Sequence, residues 1–236
     1  MSDAGPMKPY KIIKLTNITP KLGAEISGVH LDQLPPDAIE DIRLAFRNRL
    51  VLVFRDQQLT RDQHKAFGRL FGDLHLHPAK TNLGMPGDPE IFDIKVDAKT
   101  KVANGEGWHT DLSCELIPPM ASALYIRQTP STGGGDTLFA NMHEAYETLS
   151  TPMKALLDGL TAFHNGFKDL RTYGYQAKPE DTYPSANHPV VIRHPDTGKK
   201  LLFVNESFVE KINELSERES KAILTMLYRH IESNPR

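Results

Sequence analysis

Trp108-His109-Thr110-Asp111 places an imidazole and a carboxylate two residues apart. In an extended segment, residues i and i+2 project from one face about 6.5 Å apart and can converge on a single ion. Such a pair supplies two of the three ligands of the facial two-His, one-carboxylate site, which holds non-haem Fe(II) and leaves positions open for oxygen and an organic cosubstrate. The third ligand has to be another His from elsewhere. His75-Leu76-His77 repeats the spacing with two imidazoles. Each triplet also fits a plainer account: a surface strand with a satisfied His for the first, and a loop or strand with one solvated and one structural His for the second. Cys114 is the single cysteine, which excludes an internal disulfide and a Cys-rich metal site. Any metal must therefore use His and carboxylates.

The rest of the chain has to hold those groups in place. Its 236 residues, 39% of them hydrophobic, suit one domain over residues 1–236 with a single core. The net charge of -2 comes from 28 basic and 30 acidic residues without a block of one sign, which argues against nucleic acid and against an anionic membrane surface. The N-terminal stretch lacks a basic segment followed by an apolar run, and no later stretch has the length that spans a bilayer. A cytoplasmic protein is the expectation. Nothing in the composition fixes the oligomeric state, and a homo-oligomer stays open.

Residues 10–15 and 23–29 read as strands. Pro35-Pro36 opens a helix whose apolar stripe is Ile39, Ile42 and Phe46, with Glu40, Asp41, Arg43 and Arg47 outside it. The continuous apolar run at 50–54 predicts a buried strand. Thr60 with Gln63 forms a capping box for a helix that carries Phe67, Leu70 and Phe71. Residues 80–107 are rich in Gly, Pro, Asp and Asn around a short strand at 91–94, a pattern of long active-site loops. Strands are expected at 121–126 and 137–140 about a turn containing Gly133-Gly134-Gly135, which serves either as a flexible hairpin or as a close approach to a ligand. Short helices near 144–149 and 152–160 and a loop to Pro184 precede paired strands at 188–192 and 200–204. Ser216 with Glu219 caps a last helix bearing Ile223, Leu227 and Ile231.

Four ordered pieces together resemble the taurine dioxygenase (TauD/TfdA) family of Fe(II)- and 2-oxoglutarate-dependent dioxygenases. They are Phe71-Gly72-Asp73-Leu74-His75-Leu76-His77-Pro78, Trp108-His109-Thr110-Asp111, Gly134-Gly135-Asp136-Thr137-Leu138-Phe139-Ala140-Asn141-Met142, and His188-Pro189-Val190-Val191 followed by Leu202-Phe203-Val204-Asn205. The resemblance implies a mixed α and β, mainly β fold: a double-stranded β-helix, or jelly roll, with flanking helices. It implies Fe(II) as cofactor, 2-oxoglutarate as cosubstrate, O2, and a small anionic substrate of the taurine or alkylsulfonate type. Hydroxylation of that substrate would be coupled to decarboxylation of 2-oxoglutarate to succinate. His109 and Asp111 resemble the first two iron ligands, and Thr137 the threonine that helps hold the far carboxylate of 2-oxoglutarate. His77 matches the histidine that binds the sulfonate, Leu112 the position whose backbone amide contacts that group, and Phe203 an aromatic wall of the pocket. Asn104 stands within a residue of a pocket asparagine.

Two departures from the family pattern concern the substrate. Lys80 stands where a taurine-binding tyrosine is expected, and Cys114 replaces a pocket phenylalanine. An alkyl sulfate or an aryloxyalkanoate is then an alternative substrate. In the family the second iron-binding His and the carboxylate-binding Arg lie on strands beyond the helix that ends here, so the chain reads as incomplete at the C-terminus. A non-catalytic scaffold without a complete iron site is the alternative from another class.

Overall fold

A parallel neighbour in a sheet requires a crossover connection, and an amphipathic helix requires a face to cover. Residues 24–54 meet both needs with one element. In the computed structural model, which describes residues 10–97, 100, 102–103 and 105–233, contacts divide the chain into two compact units. The first draws on Met1–Phe71 and Tyr125–Asn141, the second on Gly72–Leu124 and Met142–Pro235.

In the first unit, β1 (Lys14–Asn17) pairs antiparallel with β2 (Ala24–Ser27), and β2 pairs parallel with β3 (Leu52–Phe54). Helix α1 (Pro36–Arg49) is the crossover, with proline in its first turn where a missing N–H costs nothing. It buries Ala38, Ile42 and Ala45 against Ile13 and Ile26. This face is rotated from the expected stripe, because Asp41 is buried rather than outside it. The Asp41 carboxylate accepts from the Ile12 N–H at 2.7 Å, which satisfies it inside. Arg49, also buried, donates to the carbonyls of Pro20 at 3.1 Å and Gly23 at 3.0 Å and so fastens the β1–β2 turn. β3 is half-buried rather than buried, since it forms an edge of its sheet. The capping box forms as expected on α2 (Arg61–Arg69): Thr60 Oγ1 accepts from Gln63 N–H at 3.2 Å, and Gln63 Oε1 accepts from Thr60 N–H at 2.9 Å. Phe67 and Phe71 then meet edge-to-face at 5.5 Å.

In the second unit, β4 (Thr161–Asn165) lies between β5 (Ser185–Pro189) and β8 (Val209–Ile212), antiparallel to both. β6 (Val191–Arg193) and β7 (Lys200–Leu202) form the expected hairpin. Five more helices among the described residues belong here: α3 (Pro78–Thr81), α4 (Met142–Glu147), α5 (Thr151–Leu157), α6 (Gly166–Thr172) and α7 (Glu217–Ser233). α7 packs on β8, with Leu224, Leu227 and Ile231 buried and Ser220 Oγ accepting from Ile212 N–H at 2.8 Å. β4 and α6 replace an expected loop. Asn165 caps α6 by accepting from Phe167 N–H at 3.0 Å, and Ala162 and His164 alternate inward along β4.

The mixed α and β character is as expected, but the strand share is smaller: helices hold about twice as many of the described residues as strands. Residues 91–94, 121–126 and 137–140 are not paired strands. Alternating apolar residues make a ladder only beside a neighbour that accepts their backbone groups. Leu124, Ile126, Leu138 and Phe139 are accordingly exposed. Among the described residues, no helix is long and apolar enough to cross a membrane.

Candidate metal centre

His109 and Asp111 do converge, through a turn rather than a strand. Beyond Thr110 the backbone folds back, with Ser113 N–H donating to Thr110 O at 3.2 Å and Glu115 N–H to Leu112 O at 2.9 Å. Leu112 takes φ +46, a left-handed conformation unusual for a branched side chain, while its side chain is buried with Cys114 and Phe208. This reversal brings His109 Nε2 to 3.0 Å from Asp111 Oδ1. The other ring nitrogen, Nδ1, donates to Gly107 O at 2.7 Å. Asp111 Oδ2 accepts from the Ser122 hydroxyl.

With both ring nitrogens facing oxygens, the imidazolium is favoured. The hydrogen bond with Asp111, reinforced by the Gly107 carbonyl, pushes the His109 pKa up to about 9. The same bond, with help from Ser122, holds the Asp111 carboxyl below its ordinary value. The pair alone is therefore an imidazolium and a carboxylate. A metal ion would take the place of the Nε2 proton, leaving Nδ1–H on the Gly107 carbonyl.

His77 sits at the N-cap of α3 (Pro78–Thr81), where Nδ1 accepts from Ala79 N–H at 3.2 Å. Phe92 stacks on its ring at 4.1 Å between centroids. Burial, then the neighbouring His75, hold the His77 pKa down to about 4. An acceptor nitrogen carries no proton, so His77 is neutral, with Nε2–H as its donor. An imidazolium at this position, the state expected for binding an anion, is not what the surroundings favour. His75 Nε2 lies 3.5 Å from Glu115 Oε1. Lys80 Nζ donates to Pro86 O at 2.7 Å and lies 5.9 Å from the Phe92 ring centroid.

Phe203 is half-buried, stacked on His164 at 5.4 Å and edge-on to His188 at 5.3 Å. Thr137 belongs to the first unit, exposed on an irregular segment. Asn104 lies outside the described residues. Burial pushes the Cys114 thiol up to about 12, so it is not a thiolate donor at neutral pH. Three side chains that sequence reasoning missed bear on the centre: Ser122 on Asp111, and Tyr173 and Asp169 on the loop before His109. The Asn165 cap was the available signal for α6, the helix that carries Asp169 and has Tyr173 as its C-cap.

One imidazole and one carboxylate meeting in this way are, in chemical kind, two donors for a non-haem metal ion. Among the described residues no third His, Cys, Asp or Glu joins them. The chain belongs to the taurine catabolism dioxygenase TauD, TfdA family, whose model matches residues 14–236. It is 36% identical over 234 residues to the alpha-ketoglutarate-dependent sulfonate dioxygenase of Saccharomyces cerevisiae, covering 94% of this chain and 56% of that protein. It is 33% identical to an alkylsulfatase of Acinetobacter baylyi, covering 93% of this chain and 71% of the relative. A taurine dioxygenase from Burkholderia xenovorans has a crystal structure similar to this one, with a TM-score of 0.75 at 33% identity over 94% of this chain and 74% of that one. The chain thus spans little more than half the length of the yeast relative.

Proposed function

We propose that the chain carries metal- and substrate-recognising parts of an Fe(II)- and 2-oxoglutarate-dependent dioxygenase that hydroxylates a small anionic substrate of the taurine or alkylsulfonate type. The observation that carries this reading is the 3.0 Å approach of His109 Nε2 to Asp111 Oδ1, with Nδ1 tied to Gly107 O. A ring whose Nδ1–H is held by a carbonyl presents Nε2 as its ligand atom. When bound, Fe(II) and 2-oxoglutarate supply the oxidising chemistry, with succinate as the product of the cosubstrate. Asp111 offers the second donor, oriented by the Ser122 hydroxyl. His77 Nε2–H serves the anionic headgroup as a neutral donor, and the Leu112 backbone amide is a second contact to that group. Phe203 matches an aromatic wall of the family's pocket, and Thr137 matches the threonine that holds the far carboxylate of 2-oxoglutarate. The last four roles rest on the family pattern.

The match to residues 14–236 is continuous across both units, which supports one TauD-like domain with a double-stranded β-helix core. A soluble, cytoplasmic setting suits a chain whose one cysteine, Cys114, is free. An alkyl sulfate is the second reading. Lys80 lies near enough to His77 to disfavour its protonation, adding a cation beside the neutral donor. A substrate panel separates the two readings: taurine, a linear alkylsulfonate, an alkyl sulfate and an aryloxyalkanoate are given with Fe(II), 2-oxoglutarate and O2 to the protein that contains this chain. Succinate formed in step with sulfite from a sulfonate is the expected result. Turnover of the sulfate alone selects the second reading, and no succinate with any of the four overturns both.

A further inference from the structure

We infer that Tyr173 and Asp169 are positioning residues that clamp residues 105–107 onto the His109 ring and thereby set the direction in which His109 presents Nε2. This rests on the metal-centre reading of His109 above. The Tyr173 hydroxyl accepts from the Gly105 N–H at 3.0 Å and donates to Asp169 Oδ1 at 3.4 Å. A phenol that accepts on one side and donates to a carboxylate on the other has a single orientation that satisfies both. Ser207 also hydrogen-bonds the Asp169 carboxylate. Beneath the pair, Lys168 Nζ donates to Val209 O at 2.6 Å and ties α6 to β8, so the clamp stands on a sheet-anchored helix.

The clamped loop touches His109 twice. Gly105 has φ +82, and a Cβ there would lie 3.2 Å from His109 Cε1, so the bare glycine backbone sits directly against the ring. Two residues on, Gly107 O receives the Nδ1–H at 2.7 Å. A Cβ at Gly107 would lie 3.3 Å from Ser207 Oγ, which places this residue against a partner of Asp169. Glycines are costly to immobilise because they have more backbone freedom to lose. Without an external anchor, residues 105–107 would sample other conformations and the Gly107 carbonyl would leave the ring. Neither Tyr173 nor Asp169 touches the metal in this account.

The experiment compares the natural chain with Tyr173→Phe and Asp169→Asn. In the metal-free protein, NMR follows the Gly105 amide exchange, the His109 Cε1–H signal and the amide protection of Ala162 and His164 in β4. A Co(II) titration then reads affinity at the centre. Tyr173→Phe is expected to speed Gly105 exchange, broaden or split the His109 signal, and weaken Co(II) binding roughly 10-fold, the scale of lost outer-shell partners. β4 protection should stay unchanged, and Asp169→Asn should move the same signals in the same direction. If Tyr173→Phe does not fold, the Asp169→Asn comparison decides. An unchanged His109 signal, with Co(II) affinity within twofold of the natural chain, overturns the inference. Should the natural chain, with two donors and no third among the described residues, fail to take Co(II), the metal-free NMR signals decide the clamp by themselves.

Discussion

Replacing His164 by Gln should remove a large part of the acid sensitivity of the protein. His164 has 0% relative exposure, with its ring stacked on Phe203 at 5.4 Å and edge-on to His188 at 5.1 Å. Nδ1 lies 3.0 Å from Ser113 Oγ, which also accepts from Asn205 Nδ2 at 2.9 Å, while Nε2 has no hydrogen-bond partner among the described residues. Burial, with His188 adding to it, holds the pKa down to about 4 from 6.5. The unfolded chain therefore binds more protons than the folded one between these values. Stability is fully present above about 6.5 and is lost as pH falls toward 4. From pH 7 to pH 5 the loss through this one group is about 2 kcal/mol. His77, also held to about 4, acts in the same sense, whereas His109, raised to about 9, stabilises below 6.5 and loses that contribution toward 9. The difference between natural chain and variant isolates His164. Urea unfolding followed by the fluorescence of Trp108, the single tryptophan, should show the natural chain losing about 2 kcal/mol more than His164→Gln, a midpoint difference of roughly 1 M. Equal losses in the two proteins would refute the reasoning.

Three further outcomes follow from the structure. Asp111→Asn should bring the His109 pKa in the metal-free chain down from about 9 toward its ordinary 6.5, read by NMR titration of the ring; no change would mean that the carboxylate is not its main partner. His77→Ala, in the protein that contains this chain, should raise the sulfonate KM far more than it changes uncoupled 2-oxoglutarate turnover. Because His77 is neutral, the natural KM should stay flat from pH 6 to 8, and a rise across that range would point to an imidazolium instead. Gly166→Ala should destabilise by about 1–3 kcal/mol in urea unfolding, because its Cβ would lie 2.6 Å from Tyr183 Cε1 and 3.0 Å from Cys114 Sγ. Adding Tyr183→Ala should recover part of that loss.

What could be read from the sequence is what is decided locally. The Thr60–Gln63 and Ser216–Glu219 caps each lie within four residues, and both form. The apolar periodicity of α1 and α7 and the β6–β7 hairpin are local in the same way. The burial of Asp41 is not legible locally, because its partners, Ile12 and Ile13 N–H, lie 29 and 28 residues away. The segments at 121–126 and 137–140 carry the alternation of strands, but pairing is settled by a neighbour and not by the segment itself. For the candidate site, residue types and spacing identified His109 and Asp111, while the turn that joins them was not visible in either side chain. Tyr173 could not be found from its neighbours, because its Gly105 partner is 68 residues away.

Anaerobic titration of Fe(II) with 2-oxoglutarate tests the central claim most directly, using the protein that contains this chain beside its His109→Ala and Asp111→Ala forms. If the two side chains, 3.0 Å apart here, are donors to one iron, the visible charge-transfer absorption of the chelate should develop in the natural protein and be lost or greatly weakened in both variants. A band of the same intensity and affinity in Asp111→Ala, or in His109→Ala, would contradict the assignment.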